Sequence, residues 1–260
     1  MAYTLPPLLR AVKAGDLDTV KTLIAEGQSL TPFHPDRLRP MHLAAEAGHL
    51  ALMQYLHTAQ GVPLDQQDRT GNTALFWAAL RGHGHVVNWL IAATQAQTPA
   101  QHVKHHVKHR NLRGENALFN AAFAGVVPLV QTLIAQGCDP DLRNVSGHSA
   151  LMNAAAAGHL PVVQALFAQG AALDARTDTG EQALHFAAEA GHEHVVQWLL
   201  QQGCSPNCQN QSGETPLMWA TLNGHSSVKR LLLEHGADPD CQNNDGQTAA
   251  DYVIKIAPMD

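Results

Sequence analysis

The segment TPAQHVKHHVKHR (98–110) carries four histidines at a spacing that would suit a metal ion. Thr98, Pro99 and Gln101 read as a helix start, with a hydroxyl at the N-cap, proline at the first helical position and Gln at the third. From there His102, His105, His106 and His109 fall on one helical face. Pairs four residues apart, His102 with His106 and His105 with His109, can share Zn²⁺ or Ni²⁺ through neutral imidazoles. The same face would also serve as a pH-sensitive patch. Against both stands a plainer reading, a solvated helical insert docked on the body of the protein by Val103 and Val107. No Asp, Glu or Cys lies in the segment to complete a four-ligand set. Lys104, Lys108, Arg110 and the nearby Arg113 would meet phosphate, but no aromatic residues alternate with them. With a formal charge of −6 and 17 histidines counted neutral, the chain lacks the basic footprint of a nucleic-acid binder.

Other chemistry finds no foothold. His192-Glu193-His194 does not have the H-E-x-x-H spacing of a zinc protease, and Gly147-His148-Ser149 lacks the second glycine of a nucleophile elbow. No phosphate-cradling loop is present, so the expectation is a protein that is not an enzyme and needs no cofactor. Cys138 and Cys204 hold the same place two repeats apart, and Cys208 and Cys241 the same place in adjacent repeats. With layers about 8–10 Å apart, neither pair comes within the reach of about 7 Å for a disulfide. Only Cys204 and Cys208 are neighbours in sequence, with Pro206 between them. Reduced thiols, a first segment without a secretory pattern and apolar runs too short for a membrane span suggest a cytoplasmic protein with no membrane insertion.

The elements that would position any site are written in the glycines. Gly114, Gly147, Gly180, Gly213 and Gly246 recur every 33 residues. Gly125, Gly158, Gly191 and Gly224 keep the same step, as do Gly137, Gly170, Gly203 and Gly236. Each first-series glycine closes a turn where positive φ is expected. Two residues on stands a residue able to cap a helix: Thr73, Asn116, Ser149, Thr215 or Thr248; Gln182 should cap more weakly. Leu-x-x-Ala-Ala then forms a short helix whose small residues permit close approach between layers. The second glycine ends it, a second apolar-periodic helix follows, and the third glycine ends that one.

GETPLMWATLNGHSSVKRLLLEHGADPDCQ (213–242) and GEQALHFAAEAGHEHVVQWLLQQGCSPNCQ (180–209) resemble ankyrin repeats, and the resemblance covers essentially the whole chain. It implies an all-α solenoid of stacked helix pairs with projecting β-turns, forming one domain over 1–260. The repeats would run 4–36 (N-terminal cap), 37–70, 71–110 with an insertion at 94–110, 111–143, 144–176, 177–209, 210–242 and 243–260 (C-terminal cap). Arg37 stands where a turn glycine is expected. Thr94 stands where a helix-ending glycine is expected, and ten extra residues follow before Asn111. Leu9, Phe76, Phe119, Met152 and Met218 replace the family's TPLH histidine, so those layers should depend on apolar packing. The insertion makes the third-to-fourth repeat interface the expected weak link.

The resemblance further implies a protein-interaction module that holds a peptide or protein surface with its first helices and turn tips. Carried over position by position, the binding residues would be Trp77, Leu80, Arg81, Asn120, Phe123, Asn153, Phe186, Glu189, Trp219, Leu222 and Asn223. Trp77, Leu80 and Phe123 would form one apolar cluster, and Trp219 with Leu222 another. Arg113, Glu115, Asp178 and Glu181 would supply polar contacts from the turns. A metal- or pH-responsive regulator using the His-rich insertion is the alternative.

Overall fold

The computed structural model describes residues 5–31, 34–97 and 107–256. Among these, fourteen α-helices and one 3-10 helix follow one another. Those of the first unit (1–138) are α1 (Pro7–Ala14), α2 (Leu17–Ala25), α3 (Pro40–Ala47), α4 (Leu50–Thr58), α5 (Ala74–Leu80), α6 (Gly84–Gln97), α7 (Ala117–Ala124) and α8 (Val127–Ala135). The second unit (139–260) contains α9 (Ala150–Ala156), α10 (Leu160–Ala168), α11 (Ala183–Glu189), α12 (Glu193–Gln201), α13 (Pro216–Leu222), α14 (Ser226–Glu234) and the 3-10 helix Ala249–Ile256. Within each unit the odd-numbered first helices stack on one another, and the second helices of successive repeats stack behind them.

The first helices approach closely because their facing residues are small. Ala44, Ala45, Ala78, Ala79, Ala121 and Ala122 are fully buried, as are Ala154, Ala155, Ala187 and Ala188 in the second unit. Leu9, Phe76, Phe119, Met152 and Met218, the substitutes for the TPLH histidine, are buried at 1% exposure or less. Apolar packing does replace the histidine there. His42 and His185, which keep it, are also buried: Nδ1 accepts from the N–H of the helix-start residue (Arg39, 3.0 Å; Gln182, 3.1 Å). Nε2 then bonds a carbonyl of the neighbouring turn (Gln66, 2.8 Å; Glu214, 3.2 Å).

Capping follows the sequence at Asn116, Ser149 and Thr215, whose side chains accept from Leu118, Met152 and Met218 N–H. It fails at Gln182, whose side chain turns away to donate to the Asp174 carbonyl. It also fails at Thr73, whose buried hydroxyl makes no hydrogen bond. Arg37 takes the glycine conformation regardless, with φ +55°, the one non-glycine residue with positive φ among those described. Without a glycine at Thr94, α6 does not stop; it runs 14 residues, against 9 for the other second helices.

The Gly-His pairs that open the second helices have a structural use. His49 Nε2 bonds the Lys13 carbonyl (3.1 Å), His83 that of Glu46 (3.0 Å), His192 that of Ala156 (3.0 Å) and His225 that of Glu189 (2.8 Å). Each ring lies on the second-series glycine of the preceding repeat. A Cβ at Gly191 would stand 2.6 Å from the His225 ring. That glycine therefore serves two needs, a left-handed turn and a seat for the next layer's histidine.

Candidate functional site

In the first unit the repeat register brings Trp77, Leu80 and Asn120 together from α5 and α7, with Arg113 and Glu115 reaching in from the turn between them. They surround a cleft of about 220 Å³ whose walls also include Phe76. The remaining lining comes from the turn residues Thr70, Asn72 and Asn111. Trp77 is held in place: its indole Nε1 donates to Asp68 Oδ2 at 3.1 Å. Buried Asp68 meanwhile gathers the N–H groups of Thr70 (2.8 Å) and Asn72 (2.9 Å), closing its turn. Across the cleft, Asn111 Oδ1 accepts from the N–H groups of Arg113 and Glu115. Its Nδ2 bonds Asn72 Oδ1 and Glu115 Oε2. Asn120 Nδ2 donates to the Phe76 carbonyl at 3.2 Å. Both turns and both helices are thus locked around an open space.

Not every residue expected beside Trp77 belongs to the cleft. Phe123 is 54% exposed and is not among its walls. Arg81 is exposed but already paired with Glu46 of the preceding repeat, at 2.7 Å. The sequence signal that would have found the cleft is a large residue, Trp77, followed in the next repeat by a small one, Asn120. Leu112, at 75% exposed, lies at the tip of the same turn as Arg113. Neither Leu112 nor the exposed Val145 of the second unit was expected from the sequence; comparison of the tips DRTG, NLRG, NVSG, TDTG, NQSG and NNDG would have singled both out.

In the second unit the equivalent positions are filled. Phe186 packs edge-on against Trp219 (ring centroids 6.1 Å apart), and Trp219 against His185 (5.4 Å). His148 tilts against Phe186 at 5.2 Å. Trp219 Nε1 donates to Glu214 Oε2 at 3.0 Å. Asn153, Phe186, Trp219 and Leu222 are half-buried, while Glu189 and Asn223 are exposed. The Asn223 side chain bonds back to the Trp219 carbonyl at 3.0 Å. Asp178 is exposed at its tip, but Glu181 is not a rim residue: it is buried. Its carboxylate accepts from Thr177, Thr179 and Asn210. Burial acts to raise its pKa, yet those hydrogen bonds outweigh it and hold the group below the ordinary carboxylate value. Glu214 behaves likewise, burial being outweighed by donors from Tyr252, Trp219 and Asn210.

Of the insertion, Thr98, Pro99, Gln101, His102, Val103, Lys104, His105 and His106 lie outside the described residues. Val107 is fully buried, and the Cys138 thiol donates to its carbonyl. His109 itself lies outside any helix, two residues past the helical Val107. Its Nε2 bonds the Gly71 carbonyl at 2.8 Å, and its ring meets Phe76 edge-on. That nitrogen is engaged in structure rather than poised for a metal. Among the described residues no group of three or more His, Cys, Asp or Glu side chains is arranged to hold a metal ion. Cys204 and Cys208 border a second cavity of about 510 Å³ with Asp174, Arg176 and Asn207. Burial pushes their thiols up to about 11 and about 12, which keeps them protonated and unreactive near neutrality. No helix among the described residues is long and apolar enough to cross a membrane.

A family model described as ankyrin repeats matches residues 8–102, 97–177, 118–210 and 184–255. Among curated proteins, a putative glutaminase 2 of Caenorhabditis elegans is 33% identical over 96 residues, covering 37% of this chain and 16% of that protein. Ankyrin repeat and SOCS box protein 2 is 35% identical over 77 residues in its human form, covering 30% of this chain and 12% of that protein. Its bovine form is 32% identical over 87 residues, covering 34% and 14% respectively. These segments span a small part of each relative, so they speak for the repeat and not for the chemistry of the whole protein. Glycine register, stacked helix pairs and a family match from residue 8 to residue 255 lead to one conclusion: this chain belongs to the ankyrin repeat proteins.

Proposed function

We propose that this chain is a non-catalytic protein-interaction module whose principal contact is the cleft between Trp77 and Asn120. The observation that carries this reading is the cleft itself, an open space between two first helices whose walls are fixed by hydrogen bonds before any partner arrives. Fixed walls lower the ordering cost of association. Rigid aromatic side chains and arginine are the residues most often found anchoring interfaces. Leu80 and the exposed Leu112, Phe123 and Arg113 extend the surface around it. Phe186, Glu189, Trp219, Leu222, Asn223 and Asn153 form the corresponding face of the second unit, with less open space between their aromatic rings, and would give secondary contacts. The protonated thiols suit a reducing compartment such as the cytoplasm.

The test is affinity capture with the full chain against its Trp77→Ala and Asn120→Trp variants, each first shown by circular dichroism to keep its helices. Binding partners recovered by the wild type should be lost by both. Recovery of the same partners by the cleft-filled Asn120→Trp protein would end the proposal.

A further inference from the structure

We propose that the cleft reads an extended peptide carrying one apolar side chain with an acidic residue within three positions of it; this rests on the cleft being the principal contact. Size sets the first half. A space of about 220 Å³ falls below the roughly 300–1,000 Å³ of small-ligand pockets, and it has room for one side chain rather than for a helix. Its walls on the helix side, Phe76, Trp77 and Leu80, are apolar, which favours an aliphatic or aromatic anchor. Asn120 spends one N–H on the Phe76 carbonyl. Its second N–H and its carbonyl oxygen remain to pair with the amide of an extended backbone.

Charge sets the second half. Arg113 borders the cleft, is exposed and has no ion-pair partner among the described residues. Three other arginines are occupied: Arg81 holds Glu46, Arg110 donates to the Gly114 carbonyl, and Arg176 bonds the carbonyls of Gly180 and Gln209. The same tip position carries Thr70, Ser146, Thr179, Ser212 or Asp245 in the other repeats, so a cation at that position, against the cleft wall, is peculiar to this turn. Glu115, also in the wall, already accepts from Asn111. A planar guanidinium beside a space with one apolar wall matches a carboxylate close in sequence to an apolar residue.

A random twelve-residue phage-displayed library panned on the full-length protein tests this. On wild type, the enriched sequences should share an apolar residue with Asp or Glu within three positions. Arg113→Glu, an exposed change that leaves the fold alone, should keep the apolar residue and exchange the acidic one for Lys or Arg. Asn120→Trp should lose the set. In fluorescence polarisation with the best labelled peptide, Glu→Gln or Asp→Asn should weaken wild-type binding about two- to fivefold at low salt. The difference should vanish at high salt and reverse in Arg113→Glu, where the acidic side chain meets a like charge. Apolar enrichment without acidic bias, or with basic bias on wild type, overturns this inference and leaves the cleft as the contact. Enrichment that Asn120→Trp does not disturb, or no enrichment at all, overturns both.

Discussion

Two intervals between adjacent repeats, one in each unit, are built from the same grammar and end differently. Between Phe186 and Trp219 the first-helix positions are both aromatic and the space is closed by edge-to-face packing. The layers there are pinned twice, by His185 to the Glu214 carbonyl and by His225 to the Glu189 carbonyl. Between Trp77 and Asn120 an aromatic residue faces an amide and a cleft opens. Neither histidine is present: Phe76 takes the place of the first and Val126 that of the second. The insertion supplies a substitute, because His109 reaches the Gly71 carbonyl and packs on Phe76. The lesson is that a repeat can give up standard cross-layer bonds to make a binding space, provided something else ties the layers.

The largest expected effect tests the filled side. Trp219→Ala removes two ring contacts and an indole–carboxylate bond, and should cost about 3 kcal/mol, the low end for a large aromatic that is only half-buried. Trp77→Ala also loses an indole–carboxylate bond, to Asp68, but removes a side chain already facing open space, and should cost about 2 kcal/mol. Urea denaturation followed by circular dichroism compares them. Equal losses would mean that the two intervals do not differ in packing.

How much of this was legible follows from what each feature depends on. Helix pairs and their ends depend on residues close in sequence, and the glycine register and the Asn116, Ser149 and Thr215 caps were readable from them. Arg37 departs from the glycine register in sequence, yet the backbone holds the glycine-like φ anyway. The cleft depends on a volume difference between residues 77 and 120, which lie 43 apart because the insertion breaks the period. Trp77, Leu80, Asn120, Arg113 and Glu115 could be named from their repeat positions, while the space among them shows in the sequence only once residues 77 and 120 are compared in size across the insertion. The spacing places His109 on one expected helical face with the other histidines, because periodicity carries no information about the Gly71 carbonyl. Glu181 looked like a tip residue, yet three donors draw its carboxylate inward.

A middle-sized effect tests the substitute tie. His109→Ala loses a bond to a carbonyl, worth about 1 kcal/mol, and an edge-on ring contact worth about 0.5–1 kcal/mol. Amide-exchange protection should drop across residues 107–124 and stay unchanged in the second unit. Unaltered protection in 107–124 would show that the insertion does not brace this interface.

Acid should separate the intervals further. Burial, the largest influence on His185, favours its neutral form and sets its pKa below the ordinary 6.5, even though the Glu214 carbonyl and the Glu181 carboxylate pull upward. The unfolded chain then binds more protons than the folded one as pH drops below 6.5. The stability is present above that value and is lost as pH falls through the folded pKa. The Phe186–Trp219 interval should therefore weaken between neutral pH and pH 5. His42 brings the same sensitivity to the second repeat of the first unit, while the cleft has Phe76 in that place. His185→Met, the residue found at positions 152 and 218, should flatten the pH dependence of amide protection around residues 183–222. A slope unchanged by that substitution would trace the acid sensitivity to another group.

The smallest expected change in stability comes from making the open interval resemble the closed one. Asn120→Trp gives up the bond to the Phe76 carbonyl, about 1 kcal/mol, although that oxygen keeps its helical partner four residues on. In return the new indole faces Trp77, and an aromatic pair contributes about 0.5–1.5 kcal/mol beyond the apolar area it buries. The terms nearly cancel, so the unfolding midpoint should stay within about 1 kcal/mol of wild type on those magnitudes, while peptide binding disappears. That combination would show that the cleft is kept for recognition, since closing it leaves stability almost untouched. A loss of several kcal/mol would show instead that the amide is a structural requirement, and the contrast between the two intervals would then reflect packing constraint alone.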